Sequence, residues 1–257
     1  MRKLKDICAS GSLLGEGLME NGGLHKNYKL YTSMEQALGI LMSGYIYIPD
    51  GKKWNDISDR NLMTGRGTFA KCFSCSVREN IAMWMLYGGQ NGKKGAMLNF
   101  YPFVMKELRS SKAITLGKFD EFGKFQECKE LYAEKHDYEI FLTDVIYTDP
   151  CKNKTSKIQL TLGDEHITVD EEILNDPSVY YKNFAWKYEQ ECRLVIKLKE
   201  KWRLLANDEK MNQVRIALTK KSLSKMGEDR LIRSPIFSGK VEYGEKSQLT
   251  GNVDWDL

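Results

Sequence analysis

The sequence predicts an α+β fold: a mixed, mainly antiparallel sheet core with short flanking helices. Short apolar or alternating runs such as Tyr45-Ile46-Tyr47-Ile48 recur along the chain, and the helical spacings between them are brief. Their order lacks the regular strand–helix–strand rhythm of a parallel sheet. No internal repeat or linker-like boundary divides the 257 residues, so residues 25–257 read as one domain. Residues 1–24 hold Gly11, Gly15, Gly17, Gly22 and Gly23 with few apolar anchors, and read as a mobile or irregular arm.

Tyr28 to Tyr31 is the first strand of the domain. Ser33 and Gln36 form a capping box that opens a helix, with Met34, Ala37, Leu38, Leu41 and Met42 at helical spacing. Gly44 stops it, and Tyr45 to Ile48 follows as a strand. A second block repeats the pattern. Phe69 to Ser74 is a buried strand, and Ser76 with Glu79 makes a second capping box. Ile81, Trp84 and Met85 then share a helix face, and Gly88-Gly89 closes that helix. Gly95 to Phe100 is a strand, and Phe103 to Arg109 a weakly signalled helix.

Strands follow at Tyr138 to Leu142 and Val145 to Tyr147. Asp176-Pro177 starts a helix running through Tyr180, Tyr181 and Phe184 to Trp186. Glu191 to Leu198 alternates as a strand, and Gln213 to Leu218 and Gly239 to Tyr243 complete the set.

Composition removes several function classes. The formal charge of +4 is too small to announce a nucleic-acid binder. The longest uncharged stretch, Gln36 to Pro49, falls short of the ~20 apolar residues of a membrane helix. Arg2, Lys3 and Lys5 resemble the start of a signal peptide, but Asp6 and Glu16 interrupt the apolar run it needs. The six scattered cysteines (Cys8, Cys72, Cys75, Cys128, Cys151 and Cys192) then read as free thiols of a cytoplasmic protein.

Phosphate-loop, zincin and nucleophile-elbow signatures are absent. Cys72-Phe73-Ser74-Cys75 lacks a second ligand pair in the sequence, so no metal is expected. The most informative pattern is Trp186 to Ile196. As a strand it projects Glu189, Glu191 and Arg193 to one face. Two carboxylates so spaced raise each other's pKa, and Arg193 pulls it back. Such a group holds a ribose hydroxyl, stabilises an oxocarbenium ion or acts as a base. The same triplet also fits a plain ion-pair ladder on a solvated face. Tyr31, Trp54, Trp84, Tyr87, Trp186 and Tyr188 are core aromatics or stacking partners for a base.

Leu30-Tyr31-Thr32-Ser33, Trp54-Asn55-Asp56, Phe73-Ser74 with Asn80 to Trp84 and Tyr87, Gly95 to Phe100, and Trp186 to Arg193 occur in one order. Together they resemble the bacterial domain-of-unknown-function family 2971, over most of Tyr28 to Ile196. The order of blocks is similar, more weakly, to that of ADP-ribosyltransferases. That second resemblance implies NAD as substrate, cleaved at its nicotinamide–ribose bond, with a protein, a nucleic acid or water as acceptor. It implies Glu191, or Glu189 in a Glu-x-Glu arrangement, as the catalytic carboxylate, and Arg193 beside them. It places Tyr31, Thr32 and Ser33 near the nicotinamide amide, and Trp84 or Tyr87 beside its ring. Leu30 stands where the family pattern carries His, so either Lys29, Tyr31 or His25 substitutes or the chain has lost catalysis. A toxin or antiviral effector is the role implied. The alternative is a non-catalytic nucleotide-sensing or protein-interaction module on the same scaffold.

Overall fold

A computed structural model describes residues 12–13, 27–52, 54, 67–76, 78–88, 94–148, 157–162, 165–170, 181–229 and 231–234. It is α+β, and among the described residues every ladder is antiparallel except for two short parallel pairs. Of the segment expected to be an arm, Ser12–Leu13 (β1) pairs in parallel with Leu142 and Thr143.

Tyr28–Ser33 (β2) leads into the helix Met34–Ser43 (α1), whose N-cap Ser33 accepts from the Gln36 backbone N–H at 3.2 Å. The Gln36 side chain is held by the Thr32 hydroxyl. Gly44 ends α1 at φ 73°, a left-handed conformation that favours glycine, and its N–H reaches the Ile40 carbonyl. Met34, Ala37 and Ile40 face inward, whereas Met42, expected on the buried stripe, is 85% exposed.

Tyr45–Pro49 (β3) and Thr68–Ser74 (β4) come next, then the helix Ile81–Tyr87 (α2). Here the expected Ser76–Glu79 capping box is corrected. Asn80 is the N-cap, accepting from the Ala82 N–H at 2.9 Å. Glu79 instead accepts from the Trp84 indole N–H at 2.9 Å, and the Ser76 hydroxyl bonds the Arg78 carbonyl. The buried face is correspondingly Met83 and Trp84, with Ile81 and Met85 outside.

Gly95–Phe100 (β5) starts where a Cβ on Gly95 would lie 1.6 Å from the Gly88 carbonyl oxygen, so only glycine fits. Pro102–Arg109 (α3) has proline in its first turn. Ala113–Phe119 (β6), Phe125–Tyr132 (β7), Tyr138–Asp144 (β8) and Ile146–Thr148 (β9) follow, then the hairpin Lys157–Leu162 (β10) and Glu165–Asp170 (β11). The expected start at Asp176-Pro177 lies outside the described residues. Tyr181–Asn183, expected within that helix, is instead a short strand (β12) paired in parallel with β9. A 3-10 turn, Phe184–Glu189, leads to Glu191–Leu198 (β13). Glu200–Asp208 (α4), Gln213–Ala217 (β14), Lys220–Asp229 (α5) and Leu231–Arg233 (β15) close the described chain, and Gly239 to Tyr243 lies outside it.

Among the described residues, seven strands form the main sheet in the order β1-β8-β13-β4-β2-β5-β15, and four form a second, β3-β14-β6-β7. The core lies between them: Leu30, Phe73, Leu98, Leu194 and Ile196 of the first meet Ile46, Ile48, Ile114, Leu116, Val214 and Ile216 of the second. The other face of the main sheet carries a smaller cluster, where α2 sets Met83 and Trp84 against Tyr31, Met97 and Ile232. Strand β13, expected to alternate between core and solvent, is instead buried on both faces, with six consecutive buried residues from Glu191. Among the described residues no helix is long and apolar enough to cross a membrane.

Candidate functional site

Strands β2 and β4 are neighbours that share a single paired position, Lys29 opposite Ser74. On their outer sides β2 pairs with β5 over six residues and β4 with β13 over seven. The main sheet therefore opens between β2 and β4, and a cavity of about 260 Å³ lies there. Leu30 and Tyr31 line one side of it, and Ala70, Lys71 and Cys72 the other. Glu191 and Arg193 of β13 reach it, as do Met83 and Tyr87 of α2, Trp54, Lys182 and Glu189.

The chemistry concentrates at the β13 end. Glu189 is the last residue of the 3-10 turn rather than part of the strand, and Gln190 after it takes φ 44°. Despite that turn, the two carboxylates converge on one ammonium: Lys182 Nζ is 2.5 Å from Glu189 Oε2 and 3.1 Å from Glu191 Oε2. Arg193 donates through Nε to Glu191 Oε1 at 2.6 Å, and the Tyr87 hydroxyl donates to Glu189 Oε1 at 2.6 Å. The cluster is buried, with Glu189 2%, Glu191 5% and Arg193 0% exposed. A ladder on a solvated face is thereby excluded. The guanidinium of Arg193 stacks over the Trp54 ring at 4.8 Å, and Lys182 lies 4.8 Å from the Trp186 ring.

The same burial acts oppositely on the two carboxyls because their neighbours differ. For Glu189, burial and then the Glu191 charge push the pKa up to about 7, against the pull of Lys182 and Tyr87. For Glu191, burial is outweighed by Arg193 and Lys182, which hold the carboxyl well below the usual range. Burial disfavours the Lys182 charge, yet Glu191 and Glu189 hold its pKa above the ordinary lysine value. The Cys72 thiol, hydrogen-bonded to Glu191, is pushed up by burial and by that carboxylate. Burial pulls Lys29 and Lys71 down.

Five of the eight residues singled out in the sequence line the cavity: Tyr31, Tyr87, Glu189, Glu191 and Arg193. Trp84 is fully buried behind it, edge-on to Tyr31 at 4.9 Å. Thr32 and Ser33 are taken up by α1, through Gln36 and the N-cap. Tyr31 accepts the Asn80 N–H at 3.2 Å, and burial pushes its phenol up to about 12. Leu30 faces the core at 5% exposure while also bordering the cavity. Lys29 and Tyr31 border it too, and His25 lies outside the described residues.

Lys182 was not anticipated. Its one sequence signal is position: a lone cation between Tyr180-Tyr181 and Phe184, in a stretch otherwise fit for burial.

A family model described as "Protein of unknown function (DUF2971)" matches residues 83–194. The chain is similar to that family over this stretch, which carries most of α2, β5, Lys182, Glu189, Glu191 and Arg193. No curated protein and no solved structure matches the chain.

Proposed function

We propose that the cavity is the active site of an ADP-ribosyltransferase-like enzyme that cleaves the nicotinamide–ribose bond of NAD. One observation carries this reading. Two carboxylates share a lysine at a cavity wall, yet their environments push their pKa values to opposite sides of the ordinary value. Such a division is how one site provides both a fixed negative charge and a proton-transfer group near neutrality.

In the proposed reaction the electron pair of the C1′–N bond leaves with nicotinamide, and positive charge develops at C1′ and the ring oxygen. The Glu191 carboxylate stabilises that charge. The acceptor, water or a hydroxyl or amine of a protein or nucleic acid, adds to C1′ and gives its proton to Glu189, whose pKa near 7 suits that transfer. Lys29 and Lys71, both at the cavity, suit the pyrophosphate as cations. The facing edges of β2 and β4 offer backbone donors and acceptors to the ligand.

A second reading is favoured by a different observation. Glu191 is engaged by Arg193, Lys182 and Cys72, and 4% of its side chain is exposed. A carboxylate so saturated also fits a nucleotide-sensing module that keeps the scaffold without turnover. Nicotinamide release from NAD, assayed with bacterial lysate as acceptor, separates the two. Release by the wild type that Glu191→Gln abolishes supports the enzyme. No release from folded wild type, with nucleotide binding retained in Glu191→Gln, supports the sensing module and overturns the enzyme. A toxin or antiviral role rests on the resemblance of the blocks and follows only from the first outcome.

A further inference from the structure

The Cys72-x-x-Cys75 motif does not act as one unit. Cys72 sits opposite Arg193 and turns toward the cavity and Glu191. Cys75, just beyond the end of β4, packs at the border of the main core and meets Cys192 and Asp144. Cys192 lies opposite Asp144 of β8 on one side and Phe73 of β4 on the other. The backbone N–H of Cys75 donates to the Gln190 carbonyl at 2.8 Å, which fixes the end of β4 beside β13.

The two sulfurs and a carboxylate oxygen of Asp144 all lie within 4.8 Å of one another. This is the one such trio of potential ligands among the described residues. Cys192 is 2% exposed, while Cys75 and Asp144 are half-buried, so the trio is anchored in the core and reachable from outside. Bond lengths of ~2.3 Å to sulfur and ~2.0–2.2 Å to oxygen put the donors of a tetrahedral zinc ion about 3.4–3.8 Å apart. Closing the trio around zinc therefore asks no donor to move more than about 1 Å.

We propose that Cys75, Cys192 and Asp144 form a zinc site, with three protein donors from neighbouring strands and a fourth position open to water or another ligand. Donor chemistry selects the ion. Two sulfurs and one oxygen suit zinc, whereas calcium and magnesium need a shell of oxygens. The ion would tie β4, β13 and β8 together at the residue directly after Glu191. The site stands independently of the proposed reaction, because it lies on the opposite face of β13.

The test is a Co²⁺ titration of the full chain, metal-stripped and fully reduced, followed by visible and near-ultraviolet absorption. The expected result is one Co²⁺ per chain with thiolate-to-cobalt charge-transfer bands, displaced by one equivalent of Zn²⁺. Cys75→Ser, at a half-buried position, and Asp144→Asn should each weaken Co²⁺ binding more than about tenfold, since even outer partners of metal ligands carry that much. Cys72→Ser should leave the bands in place. Two results overturn the site: no charge-transfer bands in folded, reduced wild type, or bands of full intensity in folded Cys75→Ser. The wild-type titration decides whether or not the variants fold.

Discussion

Lys182 and Glu191 form a buried ion pair, Nζ to Oε2 3.1 Å, with 7% and 4% of their side chains exposed. The same ammonium serves Glu189, so Lys182→Met strands two carboxyls at once. Removing one partner of a buried pair costs about 3–5 kcal/mol. Urea unfolding of Lys182→Met should show a loss of that order at pH 8 and a smaller one at pH 5, where Glu189 holds its proton. An equal loss at both pH values would contradict this account of the cluster.

Arg193 is fully buried, and its Nε is 2.6 Å from Glu191 Oε1. Arg193→Met should destabilise by about 3–5 kcal/mol because Glu191 is left charged in the interior. Arg193→Met with Glu191→Met should recover much of that loss, since neither charge then remains. A double variant as unstable as the sum of the singles shows that packing, not charge, dominates.

The pH dependence of stability follows from the proton on Glu189. Folding raises its pKa from 4.5 to about 7, so between these values the folded chain holds a proton that the unfolded chain has lost. Its contribution is full below about pH 4.5 and is lost as pH rises through about 7. Glu191 runs the other way: its lowered pKa contributes above the ordinary carboxylate value and is lost on acidification. Subtracting the stability curve of Glu189→Gln from that of the wild type should isolate a decline between pH 5 and 7. A flat difference would mean that Glu189 titrates as an ordinary carboxyl.

Trp84 and Tyr87 sit one helical turn apart yet do different things. Trp84 is a buried strut bonded to Glu79, so Trp84→Ala should cost about 3–5 kcal/mol. Tyr87→Phe removes only the hydroxyl on Glu189, worth about 1.5–3 kcal/mol for a bond to a charged group and less when Glu189 is protonated. Thermal melts should rank Trp84→Ala well below Tyr87→Phe. Activity should follow Tyr87, because Tyr87 lines the cavity and Trp84 does not.

Much of the scaffold is legible in the sequence because local rules govern it. Ser33 and Gly44 bound α1 by side-chain capping and by a left-handed turn, both of which depend on residues a few positions apart. Where two local rules compete, tertiary contacts decide. The Ser76–Glu79 pattern loses its cap to Asn80 because the Glu79 carboxylate goes to the Trp84 indole. The alternation of Glu191 and Arg193 is readable from their spacing on β13, but the approach of Glu189 and Lys182 is not, because a 3-10 turn and the left-handed Gln190 fold that segment back. The separation of β2 from β4 leaves no mark on either strand's composition. The pairing of Cys75 with Cys192 instead of Cys72 depends on sheet register, which the sequence leaves open.

Nicotinamide release from NAD, followed across pH 5–9 for wild type and Glu189→Gln, tests the proposed division of roles between Glu189 and Glu191. Release by the wild type should show a limb near the Glu189 pKa of about 7, rising as the base form appears, and Glu189→Gln should show a lower rate without that limb. No release by folded wild type at any pH, with acceptor supplied, would contradict that division.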